Sequence, residues 1–257
     1  MTENNRSIDP DDYQSVPRAI AVMAKSFAPG DTVAPHAHAR DQVLYATRGV
    51  MRVATSSEAW IVPPDRALYV PAGLEHGVAI RGGVEMRTLF IQPGAASGLP
   101  ARPAVLEISS LLRALILALL DEPVLYDEAG RGGLLAGLIL DELGRAQQLQ
   151  LVIPMPRDER LKRLCKALLD DPARAETLDE WAVEAGASPR TLSRLFSSEV
   201  GLSFTQWRQR VRFHNAMEAI VRGDPVGQVA RANGYESASA FTAAFKKAMG
   251  VTPGSLG

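Results

Sequence analysis

The chain has 257 residues, of which 46% are hydrophobic and 22% charged, a composition typical of a globular protein long enough for two domains. Its single cysteine, Cys165, excludes an internal disulfide framework. No charged segment followed by an apolar run opens the sequence, and the most apolar run, 111–120, is far shorter than the roughly 20 residues that span a bilayer. We therefore expect a cytoplasmic protein with no membrane partner.

The formal net charge of −1 divides unevenly, into −4 for residues 1–156 and +3 for residues 157–257. The C-terminal half is thus the part that suits a polyanionic partner. Residues 1–16 are polar and lack periodicity, which predicts a flexible N-terminal arm.

Residues 17–98 consist of short segments rich in β-branched and aromatic residues with Pro and Gly between them. This pattern favours an all-β barrel or sandwich. The expected strands lie at residues 20–27, 42–45, 50–55, 60–62, 67–70, 76–80 and 86–91.

Three of the chain's four histidines lie in this β-rich part. His36 and His38 stand two residues apart, so on one strand both imidazoles point to the same face, and Gln42 shares their parity if no bulge intervenes. The turn at Pro71-Ala-Gly73 returns the chain so that His76 faces them. The spacing predicts three imidazole nitrogens and one amide oxygen around a single point.

The same spacing resembles the two signature motifs of the cupin family of small antiparallel β-barrels, with Gln42 where that family usually carries Glu. In cupins such residues ligate a divalent metal, so the resemblance implies His36, His38, Gln42 and His76 as ligands. Imidazole ligands suit zinc, nickel, iron or copper. Sensory cupin barrels also bind organic ligands without a metal, and both alternatives stay open.

Four further residues are candidate effector contacts around the barrel interior. Arg66 suits an anionic effector or pairs with a nearby acid such as Asp65 or Glu75. Tyr45, Trp60 and Tyr69 either contact an effector or belong to the core.

After residue 98 the hydrophobic period changes to about 3.6 residues, which predicts a pair of apolar helices within 99–150. This helical pair is either a dimer interface or packs across the barrel mouth. Residues 151–156, with two prolines, read as a linker to a C-terminal domain at 157–257.

The sequence of the C-terminal domain predicts two helix-turn-helix units joined by a long helix at 204–220. In the first unit Gly186 makes the turn, Ser188 caps the next helix and Pro189 begins it. The exposed face of that recognition helix is formed by Arg190, Thr191, Ser193, Arg194 and Ser197. The face of the second recognition helix is formed by Ala238, Ser239, Thr242, Ala243, Lys246 and Lys247. Arg, Thr and Ser side chains can form hydrogen bonds with DNA base edges and phosphates. The second face has small side chains, which predicts that it binds the DNA backbone more than it reads bases.

Several motifs of this half resemble the DNA-binding domain of the AraC/XylS family of bacterial transcription regulators. They include Leu192-Ser-Arg-Leu-Phe196, Val229-Ala-Arg-Ala-Asn-Gly-Tyr-Glu-Ser237 and Gly250-Val-Thr-Pro253. The resemblance implies that both recognition helices enter the major groove of double-stranded DNA, with Arg190, Ser193 and Arg194 at base-contacting positions. It further implies a small-molecule effector, contact with RNA polymerase and a homodimer.

The sequence as a whole predicts an α+β multidomain protein, with a cupin-like β-barrel and helical pair followed by an all-α domain of two helix-turn-helix units. Its predicted function is transcription regulation by a barrel that senses a small molecule, a metal ion or both. The main alternative is a cupin metalloenzyme such as a dioxygenase, which we disfavour because Gln42 replaces a carboxylate and no general acid or base accompanies the histidines. A third possibility is a constitutive DNA-binding protein whose barrel only dimerises.

Overall fold

The computed structural model describes residues 6–64, 66–149, 151–250 and 252–255. The chain divides into two compact units, Met1–Thr55 with Trp60–Leu151 and Ser56–Ala59 with Val152–Gly257. The division falls at the start of the expected linker. Within the described residues no helix combines the length and apolar character that crossing a membrane requires.

Unit 1 is a β-barrel of two antiparallel sheets followed by two helices, so the predicted β-rich region with a helical pair is confirmed. The strands are β1 (Ile20–Phe27), β2 (Thr32–His36), β3 (Asp41–Arg48), β4 (Met51–Ala54), β5 (Glu58–Val62), β6 (Arg66–Val70), β7 (His76–Ile80), β8 (Val84–Ile91), β9 (Ala104–Glu107) and β10 (Gln148–Leu149). One sheet has the order β1-β8-β3-β6-β9-β10 and the other contains β5-β4-β7-β2.

The helices α1 (Ser110–Asp121) and α2 (Arg131–Arg145) cover the outer face of the six-stranded sheet. Alternate residues of β3 supply that face, so Val43 and Tyr45 join a core with apolar side chains of both helices. Gln42 and Leu44 point the other way, into the barrel. The helical pair therefore packs on a sheet face and not across the barrel mouth.

Residues 6–16 are bound to unit 1, which differs from the expected flexible arm. Tyr13 is buried and stacks on Phe90 with 5.6 Å between ring centroids. The buried Arg40 side chain donates to the carbonyls of Gln14 and Arg18 at 3.0 and 2.9 Å. The polar composition of this segment predicts an exposed position. It does not reveal that an arginine side chain far along the sequence donates hydrogen bonds to the backbone carbonyls of the segment. Residues 1–5 lie outside the described residues.

The main segment of unit 2 begins with a short strand, β11 (Val152–Pro154), and continues with helices. The helices are α3 (Glu159–Asp170), α4 (Leu178–Glu184), α5 (Pro189–Leu195), α6 (Phe204–Val221), α7 (Val226–Ala232) and α8 (Ala238–Met249). They form two helix-turn-helix pairs, α4–α5 and α7–α8, joined by the long helix α6. Gly186 and Gly234 follow α4 and α7 with φ of +60° and +80°, a conformation that favours glycine.

The helix α6 belongs to the cores of both helix-turn-helix pairs. Its first half buries Trp207 against Trp181 and Phe196 of the first pair. Its second half buries Phe213, whose ring lies 5.8 Å from Phe241 in the second pair. Burial on more than one side explains why α6 lacks the single apolar stripe of a surface helix.

The first recognition helix, α5, ends at Leu195, and a wider π-helical turn, Phe196–Val200, follows it. Cys165 is fully buried among leucines, and burial raises the pKa of its thiol, so it packs as a small hydrophobic residue.

Candidate functional sites

The predicted gathering of histidines in the barrel is confirmed. One ring nitrogen from each of His36, His38 and His76 lies within 4.8 Å of the others. His36 and His76 are cross-strand partners on β2 and β7. His38, however, follows the end of β2, where the chain passes to the other sheet, so it reaches the cluster from this connection and not from a shared strand face.

Backbone carbonyls orient two of the three imidazoles. His36 Nδ1 lies 2.8 Å from the Ala34 carbonyl, and His76 Nδ1 lies 3.0 Å from the Leu74 carbonyl. A carbonyl oxygen only accepts, so in both rings Nδ1 carries the hydrogen and Nε2 of the neutral ring carries the lone pair. The arrangement is the one in which a metal-binding histidine is held by a hydrogen bond from its other nitrogen.

The atoms that face the cluster include buried acceptors that lack donors. His76 Nε2 and Gln42 Oε1 have no hydrogen-bond partner in the described part of the chain. His36 Nε2 and His38 Nε2 lie 3.1 Å apart, a distance at which one of the two nitrogens donates a hydrogen bond to the other. A buried acceptor that receives no hydrogen bond lowers the stability of the fold, and one bound cation would interact with all of these acceptors at once. Three nitrogens and one amide oxygen therefore fit a divalent transition-metal ion.

The protonation of the histidines agrees with this donor set. Burial, with the neighbouring His36 and His76 rings, lowers the pKa of His38 to about 4. Burial also lowers the pKa of His76. Both rings are neutral near pH 7, which is the form that binds a metal ion.

The cavity at the histidines is small. Its volume is about 40 Å³, whereas a pocket for a drug-sized molecule has roughly 300–1,000 Å³. A single water needs about 10–15 Å³, so the space suits an ion with one or two small ligands. The cavity is lined by Pro10, Met23, Lys25, Phe27, Val33, His36, His38, Gln42, Leu44, His76, Val78 and Met86.

Sequence reasoning missed the residues that hold the histidines in place. The Asp41 carboxylate accepts a hydrogen bond from Ala72 N at 2.8 Å, and Gly73 N donates to the His38 carbonyl at 2.8 Å. These bonds fix the turn that leads to His76. Phe90 packs edge-on against His38 with 5.2 Å between ring centroids. The only sequence feature that could have indicated this support is the carboxylate of Asp41, one residue before the predicted ligand Gln42.

The four candidate effector contacts lie away from this cavity. Tyr45 and Tyr69 are in the core beneath α1 and α2, and Trp60 is buried on β5. Burial and the nearby Asp41 carboxylate raise the pKa of Tyr69 to about 12. Arg66 is buried and pairs with Glu107 of β9 at 3.6 Å, while Asp65 lies outside the described residues. Effector contact by these four residues stays a prediction without support from their positions.

The first recognition helix presents the residues that the sequence predicts. Arg190, Ser193, Arg194 and Ser197 are exposed, while Leu192 and Phe196 are buried in the core. Thr191 is half-buried, and its hydroxyl lies 2.9 Å from that of the N-cap Ser188. Among the described residues no ion pair joins Arg190 or Arg194 to a carboxylate. Both guanidinium groups are therefore available on one helix face.

The second recognition helix has a smaller face. Ser237 caps α8, and Ala238, Ser239 and Ala243 are exposed near its start and middle. Thr242 is half-buried, and Lys246 and Lys247 lie exposed in the last turn. The cations are thus at one end of the helix and the small side chains at the other, as the sequence indicates.

Comparison with known proteins supports both halves of this description. A helix-turn-helix domain model matches residues 181–256 and a cupin domain model matches residues 25–92. The HTH-type transcriptional regulator NimR of Escherichia coli is 32% identical over 252 residues, which cover 98% of this chain and 91% of NimR. A Streptomyces antibioticus protein, named as an AraC-like transcription regulator, is 27% identical over 88% of this chain and 70% of its own. ToxT of Vibrio cholerae aligns over 93% of this chain and 97% of its own at 10% identity, with a TM-score of 0.37.

Proposed function

This chain belongs to the AraC/XylS family of transcription regulators, and from that premise we propose that a divalent transition-metal ion, bound in the barrel, is the signal that controls its binding to DNA. DNA-binding transcription regulation is the function of the chain. The identity of the signal, the DNA-reading residues and the partners are the proposed parts.

One observation carries the choice of signal. The barrel brings together three imidazoles and an amide oxygen without a hydrogen-bond partner among the described residues, around a cavity of about 40 Å³. An organic effector of ordinary size does not fit that volume, whereas an ion satisfies the buried acceptors. His36, His38, Gln42 and His76 would hold the ion, which would supply its charge and a fixed coordination geometry to the cavity.

The DNA-reading role falls mainly to the first helix-turn-helix pair. Arg190 and Arg194 stand one turn apart on α5 and suit bidentate contacts to guanine. Ser193 and Ser197 share their exposed face, and Thr191 supports the cap. For α8 we propose backbone anchoring by Ser239, Thr242, Lys246 and Lys247, with Ala238 and Ala243 allowing close approach to the groove.

The partners follow from the same function. A regulator of this kind acts with RNA polymerase and as a homodimer, and both are proposed here. We propose no enzymatic activity, because the relatives that the chain matches are named as transcription regulators.

The test measures DNA binding with and without the metal. Full-length protein stripped with chelator, or loaded with zinc, nickel, copper or ferrous iron, selects fragments from genomic DNA, and the recovered site is footprinted. We expect at least one metal to change operator affinity about 5–150-fold. The variant His36→Ala with His76→Ala should abolish that response, while Gln92→Ala at an exposed barrel position should keep it. A response that is unchanged by loss of both histidines would refute the metal signal, and a protein that selects no site would refute sequence-specific regulation.

A further inference from the structure

Unit 2 contains another cavity, which none of the functions described above uses. Its volume is about 560 Å³, within the roughly 300–1,000 Å³ of pockets that bind small molecules. One face of α6 lines it with positions 212, 216 and 219, and α7 lines it with positions 228, 231 and 232. Among the described residues that line the cavity, none belongs to the recognition helices α5 and α8.

The charged groups of the lining are three arginines and one carboxylate. Arg222 pairs with that carboxylate, Asp224, at 3.0 Å. Arg212 is half-buried, and its Nε donates to the Pro172 carbonyl at 3.4 Å, which holds the guanidinium group at the cavity. Arg231 is exposed on α7. Within the described part of the chain no carboxylate pairs with Arg212 or Arg231, so two guanidinium groups share one concave surface without an anionic partner.

The neighbouring Arg208 reports the positive charge at this end of the cavity. It lies one turn before Arg212 on α6, and its Nη1 donates to the Glu176 carbonyl at 3.0 Å. Burial lowers the pKa of Arg208, and the charge of Arg212 lowers it further. A surface that disfavours a nearby cation favours an anion.

The charge and the donors of the cavity fit a phosphate monoester. A guanidinium group donates two parallel hydrogen bonds to a phosphate or a carboxylate. A carboxylate has one charge and two oxygens, whereas a phosphate monoester has three strong acceptor oxygens and a charge of about −1.5 to −2 at pH 7. Arg212 and Arg231 together match that charge. A phosphate of the DNA backbone carries a single negative charge and matches it less well.

Small apolar side chains leave room for the organic part of such a ligand. Ala216 and Val229 are buried beneath the cavity lining, and Ala173, Ala219 and Ala232 are more exposed around it. A mostly apolar surface with a few polar groups is the usual lining of a small-molecule pocket.

We propose that the cavity between α6 and α7 binds a small phosphate monoester, with Arg212 and Arg231 on the phosphate group and the alanines against the organic part. Arg222, which Asp224 holds, adds a third guanidinium group to the lining. The site goes beyond the proposed function. It concerns unit 2 alone and does not depend on the metal signal proposed for the barrel.

The first experiment is calorimetric titration of the full-length protein. Inorganic phosphate probes the arginines alone, and adenosine 5′-monophosphate and ribose 5-phosphate probe the whole cavity beside their unphosphorylated counterparts, adenosine and ribose. Inorganic phosphate and at least one monoester should bind, and the matching counterpart should bind about tenfold more weakly or less. Absence of binding by all three phosphates, or equal binding of monoester and counterpart, would overturn the site.

The second experiment removes the two arginines one at a time. Arg212→Gln and Arg231→Gln should each weaken binding of the monoester about tenfold or more, because each loses a charge-assisted hydrogen bond. Arg163→Gln is the matched control, since Arg163 is exposed on α3 and does not line the cavity. Circular dichroism of each variant checks that the fold is kept. Affinity that is equal in these variants and the wild type would contradict the assignment of the arginines.

The variant Asp224→Asn should act in the opposite direction. It removes the lining carboxylate and releases Arg222, so the monoester should bind about two- to fivefold more tightly. Unchanged or weaker binding would show that the charge of the cavity does not attract the ligand.

The last measurement separates a free phosphate monoester from the DNA backbone. If Arg231 contacted a DNA phosphate, Arg231→Gln would reduce the slope of log affinity for DNA against log salt by about one. Under the proposal that slope, measured without monoester, stays that of the wild type. A reduced slope would assign Arg231 to DNA and overturn the proposal, while leaving DNA-binding regulation itself intact.

Discussion

At the scale of single residues, Gln42 decides how strongly the barrel favours a cation. Its amide oxygen is buried without a donor and belongs to the same cavity as the three imidazoles. Gln42→Glu places a negative charge there, so metal affinity should rise about tenfold or more, while the metal-free protein should lose about 1–3 kcal/mol of stability to the buried charge. Metal titration by calorimetry and urea unfolding measure the two effects. The apolar control Gln42→Leu should lower metal affinity, and equal affinities for all three proteins would remove Gln42 from the ligand set.

Arg194 is the residue whose loss should change sequence preference most clearly. It is exposed on α5 and pairs with no carboxylate among the described residues. Arg194→Ala should cost about 1–3 kcal/mol on the preferred operator and relax the preference at one base pair. Lys247→Ala is the matched control on α8, because loss of a phosphate contact weakens all sequences alike. Selection from a randomised operator library compares them, and an unaltered base preference for Arg194→Ala would make it a backbone contact.

The residues of the barrel site show what a sequence can predict and where prediction stops. The spacing of His36, His38 and His76 with the turn at Gly73 was enough to predict their gathering. The predicted reason holds for His36 and His76, which are cross-strand partners, but not for His38, which lies after the end of β2 and not on a strand face shared with His36. The supporting role of Asp41 depends on a hydrogen bond to Ala72 across two strands, which no local pattern encodes. For Tyr45 and Tyr69 the sequence left core packing and effector contact open, because nothing local indicates which face of a buried strand the helices will cover, and both lie in the core beneath the helices.

At the scale of elements, the long helix α6 depends on its N-terminal cap. Ser203 accepts from Gln206 N at 3.3 Å, and the Gln206 side chain accepts from Ser203 N at 2.9 Å, so two orphan donors are satisfied. Ser203→Ala should lower the free energy of unfolding of unit 2 by about 1 kcal/mol, as measured by urea denaturation. Ser198→Ala, which removes only a bond to the Leu195 carbonyl on the exposed side of the preceding turn, should cost less. Equal losses would show that the cap contributes nothing beyond an ordinary surface hydroxyl.

The C-terminal helices were easier to predict than the position of residues 6–16, because the signals that begin and end a helix lie within its own segment. The expected helix 204–220 differs from Phe204–Val221 by one residue, because caps, glycine turns and a 3.6-residue period are written locally. No such local signal marks the end of α5 at Leu195. The π-helical turn that follows contains Phe196, whose ring lies 6.1 Å from that of Trp207, outside the segment. Residues 6–16 are held by Arg6 and Arg40, whose partners lie far along the chain.

At the scale of the whole molecule, a regulator needs a signal that prefers one DNA-binding state over another. The energetic requirement is a coupling of about 1–3 kcal/mol between the barrel and the helix-turn-helix units, and linkage makes that coupling reciprocal. Operator DNA should therefore change the affinity of the histidine site for its metal by the same factor by which the metal changes operator affinity. Calorimetric metal titrations of the free protein and of its operator complex, beside DNA titrations of the stripped and loaded protein, give the two factors independently. His76→Ala should bring both factors to one, and a metal affinity that is indifferent to DNA while DNA affinity depends on metal would violate the linkage and place the responsive metal somewhere other than in the barrel.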